Sequence, residues 1–221
     1  MKLFVNALTK FACGFLLVGL LIFLPAGTLA FSKGWLLMGL LFGPMFLAGL
    51  VMLRKSPDFL AKRLDVKEKR SAQQGVIKLS GLMFIAGFVV AGLDFRFGWS
   101  QMPKAVTVGS SMLFLMAYLL YAEVMRENAY LSRTIKVEEG QKVVSTGLYG
   151  IVRHPMYMAT LLLFLVMPLV LGSWWALIPF AFYPAIIISR LKDEEKLLTR
   201  ELAGYDEYKQ KVKYRLIPFV W

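Results

Sequence analysis

The sequence predicts an all-α, polytopic membrane protein, and three observations carry that prediction. Of its 221 residues, 58% are hydrophobic, more apolar surface than a soluble domain of this size can bury. The apolar residues fall into blocks at 11–31, 35–53, 76–93, 105–125, 157–171 and 174–189. The 26 lysines and arginines flank those blocks and do not gather in one patch. About six apolar helices are expected, the last two forming a short hairpin, followed by a cytosolic C-terminal amphipathic helix.

The first four blocks have the ~17–25 residues that a helix needs to cross a bilayer core. The first could also pass for a secretory signal, with Lys2 and Lys10 ahead of it and Thr28-Leu29-Ala30 as a cleavage site. It is long enough to span, and its removal would spoil the charge balance of an even number of crossings, so a retained helix is expected. Cys13 within it, the only cysteine, has no disulfide partner and reads as packing. Blocks five and six are shorter. Tyr157 to Leu171 would rise only ~22 Å against a core of ~30 Å, and Gly172-Ser173 leaves room for no more than a turn. A tight hairpin follows, one that spans only with help from neighbouring helices or a thinned bilayer, with kinks at Pro168, Pro179 and Pro184.

Between blocks four and five, the fourth helix is expected to continue from Tyr118 through Arg133. Two short extended pieces then follow, Ile135/Val137 and Val143/Val144, around a turn at Glu138-Glu139-Gly140-Gln141. The tail from Lys192 to Lys213 reads as one interfacial amphipathic helix carrying Leu197, Leu198, Leu202, Tyr205, Tyr208 and Val212, with Pro218 and a headgroup-zone Trp221 after it. The chain divides into N-terminal transmembrane helices (1–125) and a C-terminal core (126–221).

The net charge of +12 suits anionic lipid headgroups and not nucleic acid, because the basic residues lack an aromatic-laced patch. With a cytosolic N-terminus and six crossings, 22 basic residues fall on the cytosolic side and 3 outside, with Lys78 at a helix start. This is a strong positive-inside bias. Both termini are therefore expected in the cytosol, at the inner or plasma membrane of a prokaryote or the endoplasmic reticulum of a eukaryote.

The one histidine, His154, lies in Gly147-Leu148-Tyr149-Gly150-Ile151-Val152-Arg153-His154-Pro155-Met156-Tyr157 at the first foot of the hairpin. Pro155 suits the first turn of a helix and pushes His154 out of helical geometry. Beside a helix N-terminus, Arg153 and His154 could seat an anion, and Tyr149 and Tyr157 offer flat surfaces for an adenine or ribose. At the second foot Arg190 and Glu194, four apart, share a helical face. Glu194 could receive an ammonium or ribose hydroxyls, and Arg190 an anionic or carbonyl group. A zwitterionic ligand would match such a pocket. Structural alternatives stand beside each of these. His154 could satisfy backbone groups, Arg153 could be a membrane flank, and Asp193-Glu194-Glu195 could be a solvated helix start with Lys196 and Arg200 as local partners. Glu123, Arg126 and Glu127 read as a solvated face, and Asp94 and Arg96 receive no role.

Three stretches together, Gln141 to Tyr157, Arg190 to Glu195, and Tyr205-x-x-Tyr208 running to Arg215-Leu216-Ile217-Pro218-Phe219, resemble the isoprenylcysteine carboxyl methyltransferase and phospholipid methyltransferase superfamily of small membrane enzymes. The resemblance implies an S-adenosylmethionine-dependent methyltransferase with its cofactor bound from the cytosol and no metal. It implies cofactor contacts at Tyr149, Arg153, His154, Tyr157, Glu194 and Glu195, with Gln141, Val143 and Val144 closing over them. Arg190, facing the methyl acceptor, and Glu194 form the implied catalytic pair, and an amine acceptor would lose its proton to water or Glu195. Met156 within the motif and the six-block count leave the acceptor open among a prenylcysteine carboxylate, a phospholipid amine and a thiol. An NADPH-dependent sterol-type reductase with the same C-terminal core, and a non-enzymatic scaffold, are the rival classes.

Overall fold

A computed structural model describes residues 1–65, 71–132 and 134–221, with 71 and 72 described in backbone only. Lys67, Lys69, Arg70 and Arg133, counted above in the cytosolic charge, lie outside the described residues. Among the described residues, four helices are long and apolar enough to cross a membrane: α1 (Lys2–Ala26), α2 (Ser32–Lys55), α4 (Ser71–Phe97) and α5 (Lys104–Glu127). A short helix, α3 (Pro57–Leu64), follows α2. The hairpin is α6 (Pro155–Leu171), α7 (Leu177–Phe180) and α8 (Tyr183–Glu201), and α9 (Tyr205–Lys211) closes the tail.

α6 packs most extensively along α5, and α1 along α4. One apolar core runs through α1, α2, α4, α5, α6, α7 and α8, with Ile22, Leu37, Phe88, Phe114, Met167, Phe180 and Leu191 almost wholly enclosed. Phe84 meets Phe164 and Phe180 edge-on at centroid distances of 4.8 and 5.5 Å, an arrangement favoured by the ring quadrupoles. The opposite faces, such as Leu16, Leu17, Leu20 and Leu24 on α1 or Met112, Met116 and Leu119 on α5, are exposed. In a bilayer such faces meet lipid tails as apolar as themselves, so close packing, not escape from water, holds the helices together.

The hairpin turns at Gly172, whose φ of 75° is a conformation open to glycine at little cost. Lys33 lies so close that a Cβ there would come within 2.6 Å of its Cδ. Asp94 of α4, 2% exposed, clasps this tip. Its Oδ1 accepts the Ser100 N–H at 2.7 Å, and its Oδ2 accepts the hydroxyls of Ser100, at 2.6 Å, and Ser173. Those hydroxyls in turn accept the backbone N–H groups of Trp174 and Ala176, each at 3.0 Å. Asp94 thus has a structural role that its position in the sequence did not suggest.

Four expected elements take a different form. The fourth helix stops at Glu127, because Asn128 is extended (φ −118°, ψ 99°) and its Oδ1 takes the Tyr130 N–H at 2.9 Å. An asparagine offering this local bond competes with helix continuation. The turn at 138–141 forms, with Gln141 N–H donating to the Glu138 carbonyl at 3.0 Å and Gln141 Oε1 accepting the Glu138 N–H at 2.9 Å. Its flanks, however, pair into no strand among the described residues. Val137 and Val143 pack instead on the C-terminal tail.

The return limb is also broken, at Ala181-Phe182, and α8 runs unbroken from the hairpin past Lys192 to Glu201. The expected single amphipathic helix over 192–213 is therefore the end of α8 plus α9, separated at Gly204 (φ 81°), a backbone conformation that suits glycine. Leu202, Tyr205, Tyr208 and Val212 bury themselves against Val137, Val143 and Leu198. Trp221 likewise folds back, its carbonyl accepting the N–H groups of Leu216 and Ile217 at 2.9 and 3.0 Å, and packs on the main core.

Candidate active site

Gly147–Gly150 form a 3-10 turn that delivers the chain to the first foot of the hairpin. His154 is the N-cap of α6, with Pro155 in its first turn, and its carbonyl accepts the N–H groups of Tyr157 and Met158 at 3.1 and 3.2 Å. The backbone N–H groups of Arg153 and His154 donate to the carbonyls of Tyr214 and Arg215, both at 2.9 Å. These two bonds strap the tail beneath the foot.

Side chains then link the two feet through the neighbouring carboxylates Glu194 and Glu195, whose environments differ. Glu195, 8% exposed, accepts from Arg153 Nε at 2.7 Å and Arg215 Nε at 2.9 Å, with His154 Nε2 at 3.3 Å. Arg153 Nη1 donates further to the carbonyls of Val212 and Lys213 at 2.8 and 3.0 Å. Burial alone would raise the Glu195 pKa. The hydrogen bonds from His154 and Arg153, and then their charges, outweigh it and hold the carboxyl down at about 2. An ionised carboxylate only accepts, so His154 carries its proton on Nε2, and in the neutral ring Nδ1 is left as an acceptor.

Glu194 is half-buried and belongs to a second network. The Tyr157 hydroxyl donates to Glu194 Oε2 and accepts from Arg190 Nε at 3.0 Å. Arg190 Nη1 donates to Gln73 Oε1 at 3.2 Å, and Gln73 Nε2 donates to Asp193 Oδ2 at 3.0 Å. Gln73, fully buried at the start of α4, was invisible as a site residue in the sequence. Nothing in a polar residue near a basic loop marks it as one, and only the packing of α4 on α8 brings it there.

Around this network lies a cleft. Gln141, Val143, Val144, Tyr149, Arg153, His154, Tyr157, Arg190 and Glu194 all line it. Glu195 is not among them: it is enclosed behind the first foot by Arg153, His154 and Arg215, and its carboxylate clamps the foot to the tail. Arg153 lines the cleft but commits its Nε and Nη1 donors to Glu195 and the tail carbonyls. Tyr149 accepts from Asn128 Nδ2 at 2.9 Å, and its carbonyl takes the Tyr208 hydroxyl at 2.7 Å. Burial pushes its phenol well above the ordinary value. None of the three acidic residues pairs with Lys196 or Arg200, since Asp193, Glu194 and Glu195 reach Gln73, Tyr157 and the basic trio respectively.

The segment 134–144 covers one side of the cleft. Lys62 of α3 holds it through an ion pair to Glu138 Oε2 at 2.6 Å. As it stands the enclosed space is about 100 Å3, below the ~300–1,000 Å3 of small-molecule sites.

Residues 108–200 match the family model for isoprenylcysteine carboxyl methyltransferase (ICMT). This stretch is similar to the ICMT family. It holds both networks' core residues, from Arg153 to Glu195, and the resemblance read from the residues therefore stands. A stretch of 91 residues, 40% of the chain, is also 32% identical to the Delta(14)-sterol reductase of Mus musculus, and the match spans 22% of that protein's length. Gln73, Lys62 and the tail residues Tyr205, Tyr208 and Arg215 reach the site from outside the ICMT stretch.

Proposed function

We propose that the chain is an integral-membrane, S-adenosylmethionine-dependent methyltransferase acting on a lipid-like or membrane-partitioning acceptor, a prenylcysteine carboxylate, a phospholipid amine or a thiol. The observation that carries this is the meeting of Arg190 and Glu194 at the Tyr157 hydroxyl, inside a cleft built by the ICMT stretch. When bound, S-adenosylmethionine would supply an activated methyl group on its sulfonium. The residues present suit it. Glu194 offers a carboxylate to an ammonium or to ribose hydroxyls, Val143, Val144 and Leu198 offer apolar contact to a base, and Tyr149 and Tyr157 offer ring faces.

Each residue has a part that follows from its surroundings. Tyr157 fixes the rotamers of Arg190 and Glu194, so that a cation and an anion face the cleft in a fixed geometry, and positioning of this kind supplies much of the catalysis in a displacement reaction. Arg190, braced by Gln73, is poised for a carboxylate or phosphate of the acceptor. His154 and Arg153, tied to Glu195, keep the first foot and the tail rigid. The cover at 134–144 excludes water once closed. Residues 1–125 serve as scaffold and acceptor access, and 126–221 as the reacting core. The basic residues gather at the end of the bundle that carries the feet, which supports cytosolic termini beside anionic headgroups.

The test uses the full chain purified in detergent. S-adenosylmethionine and S-adenosylhomocysteine should raise its melting temperature and NADPH should not, and radiolabelled methyl should pass into a host lipid or small-molecule extract. The identity to a Delta(14)-sterol reductase supports a second reading, a reductase, and stabilisation by NADPH alone would replace the first with it.

A further inference from the structure

Three buried side-chain polar atoms lack a hydrogen-bond partner among the described residues: Thr107 Oγ1, Glu138 Oε1 and the Tyr205 hydroxyl. Of these three residues only Tyr205 lines the cleft. It is 3% exposed, so water cannot stand in freely for the missing partner, and a buried hydroxyl left unpaired is a standing cost to the fold. Its neighbour one helical turn on shows what the same group does when it serves structure. The Tyr208 hydroxyl donates to the Tyr149 carbonyl at 2.7 Å. The two rings stand 5.7 Å apart in one apolar cluster and both residues line the cleft, so the difference lies in the hydrogen bonding of each hydroxyl and not in how each ring is packed.

We infer that the Tyr205 hydroxyl is a ligand contact, a donor kept unpaired in the free protein for a neutral oxygen or nitrogen acceptor of the nucleotide that the cleft takes. The inference rests on the methyltransferase reading for the ligand's identity, but not for the hydroxyl's role. Burial, and then the charges of Glu195 and Glu194, push this phenol well above its ordinary value. It therefore keeps its proton at any working pH and donates. Those same carboxylates disfavour an anionic partner beside it, which leaves a ribose hydroxyl or a ring nitrogen of the base. Tyr205 also stands on α9, beyond the ICMT stretch, so the tail contributes to ligand binding as well as to closing the fold.

The test pairs Tyr205→Phe with Tyr208→Phe in the full detergent-purified chain, with S-adenosylhomocysteine as probe. Tyr205→Phe should weaken S-adenosylhomocysteine binding about three- to tenfold, the range for one neutral hydrogen bond, while the ligand-free melting temperature stays level or rises. Tyr208→Phe should lower the ligand-free melting temperature, because it strands the Tyr149 carbonyl. Unchanged affinity in Tyr205→Phe, or a ligand-free destabilisation equal to that of Tyr208→Phe, would overturn the inference. If the wild type binds NADPH and not S-adenosylhomocysteine, the methyltransferase reading fails, and the same two variants titrated with NADPH still decide the role of the hydroxyl. Binding of neither nucleotide overturns both.

Discussion

The two ends of the hairpin are both built from buried acids and their donors, yet they serve different ends. At the tip, Asp94 fills its oxygens with Ser100 and Ser173, and each hydroxyl passes the pattern on to a backbone N–H. At the feet, Glu195 is equally committed, to Arg153, His154 and Arg215. Glu194, one residue earlier, shares a phenol with Arg190 at the wall of a cleft. Where every lone pair and proton is spent, polarity fixes structure. Where a cation, an anion and a tyrosine with an unpaired hydroxyl line a shared space, polarity is held ready for something else.

Removing Glu195 should have the largest effect. Glu195→Ala leaves Arg153 buried without its anion, a loss of about 3–5 kcal/mol in stability, read as a collapse in melting temperature or expression. The same carboxyl sets a pH signature. Its folded pKa of about 2 lies below the ~4.3 of an unfolded glutamate, so its contribution is complete above that value and is lost as pH falls from about 5 towards 2. Glu195→Gln should flatten that acid limb of the melting curve. A variant that keeps the full limb would break the assignment of Glu195 as a clamp.

Glu194→Ala should do the reverse. It should cost about 2–5 kcal/mol in nucleotide binding, as for one partner of a desolvated charge pair, with little change in ligand-free melting. His154→Ala should also weaken cofactor binding, with a loss of melting temperature that reports its bond to Glu195. At the tip, Asp94→Ala should lower stability by about 1–3 kcal/mol through stranded donors and leave the dissociation constant of the surviving folded protein alone. A change in affinity there would couple the two ends. Gln73→Leu comes next, with a loss of about 1.5 kcal/mol, the low end for hydrogen bonds to charged groups, seen as a raised KM for the acceptor at an unchanged affinity for the cofactor. Lys62→Ala should have the smallest effect, within ~1 kcal/mol for a half-exposed pair, and should appear as faster nucleotide release from a loosened cover.

Much of this arrangement is legible in the sequence because it depends on local rules. Apolar block length placed the four long helices, Gly172-Ser173 the hairpin turn, Pro155 the start of α6, and the spacing of four the shared face of Arg190 and Glu194. The misread elements are those where distant contacts outweighed local preference. The Asp193-Glu194-Glu195 run sits beside Lys196 and Arg200, as a solvated helix start would, and finds all its partners 20 or more residues away. Val137 and Val143 have the composition of strands but find the tail's tyrosines more accessible than each other.

The sequence by itself determined the membrane class, the charge asymmetry and the motif at the feet, because apolar length, basic flanks and residue type act over a few turns of chain. Only the tertiary structure decided that Glu195 is a clamp and Glu194 faces the cleft, that Gln73 braces Arg190, and that Tyr205 is left unpaired beside a satisfied Tyr208. Adjacent residues on a helix point about 100° apart. Which of them meets a cation, a cavity or a carbonyl is settled by what packs against each face, and no local pattern encodes that.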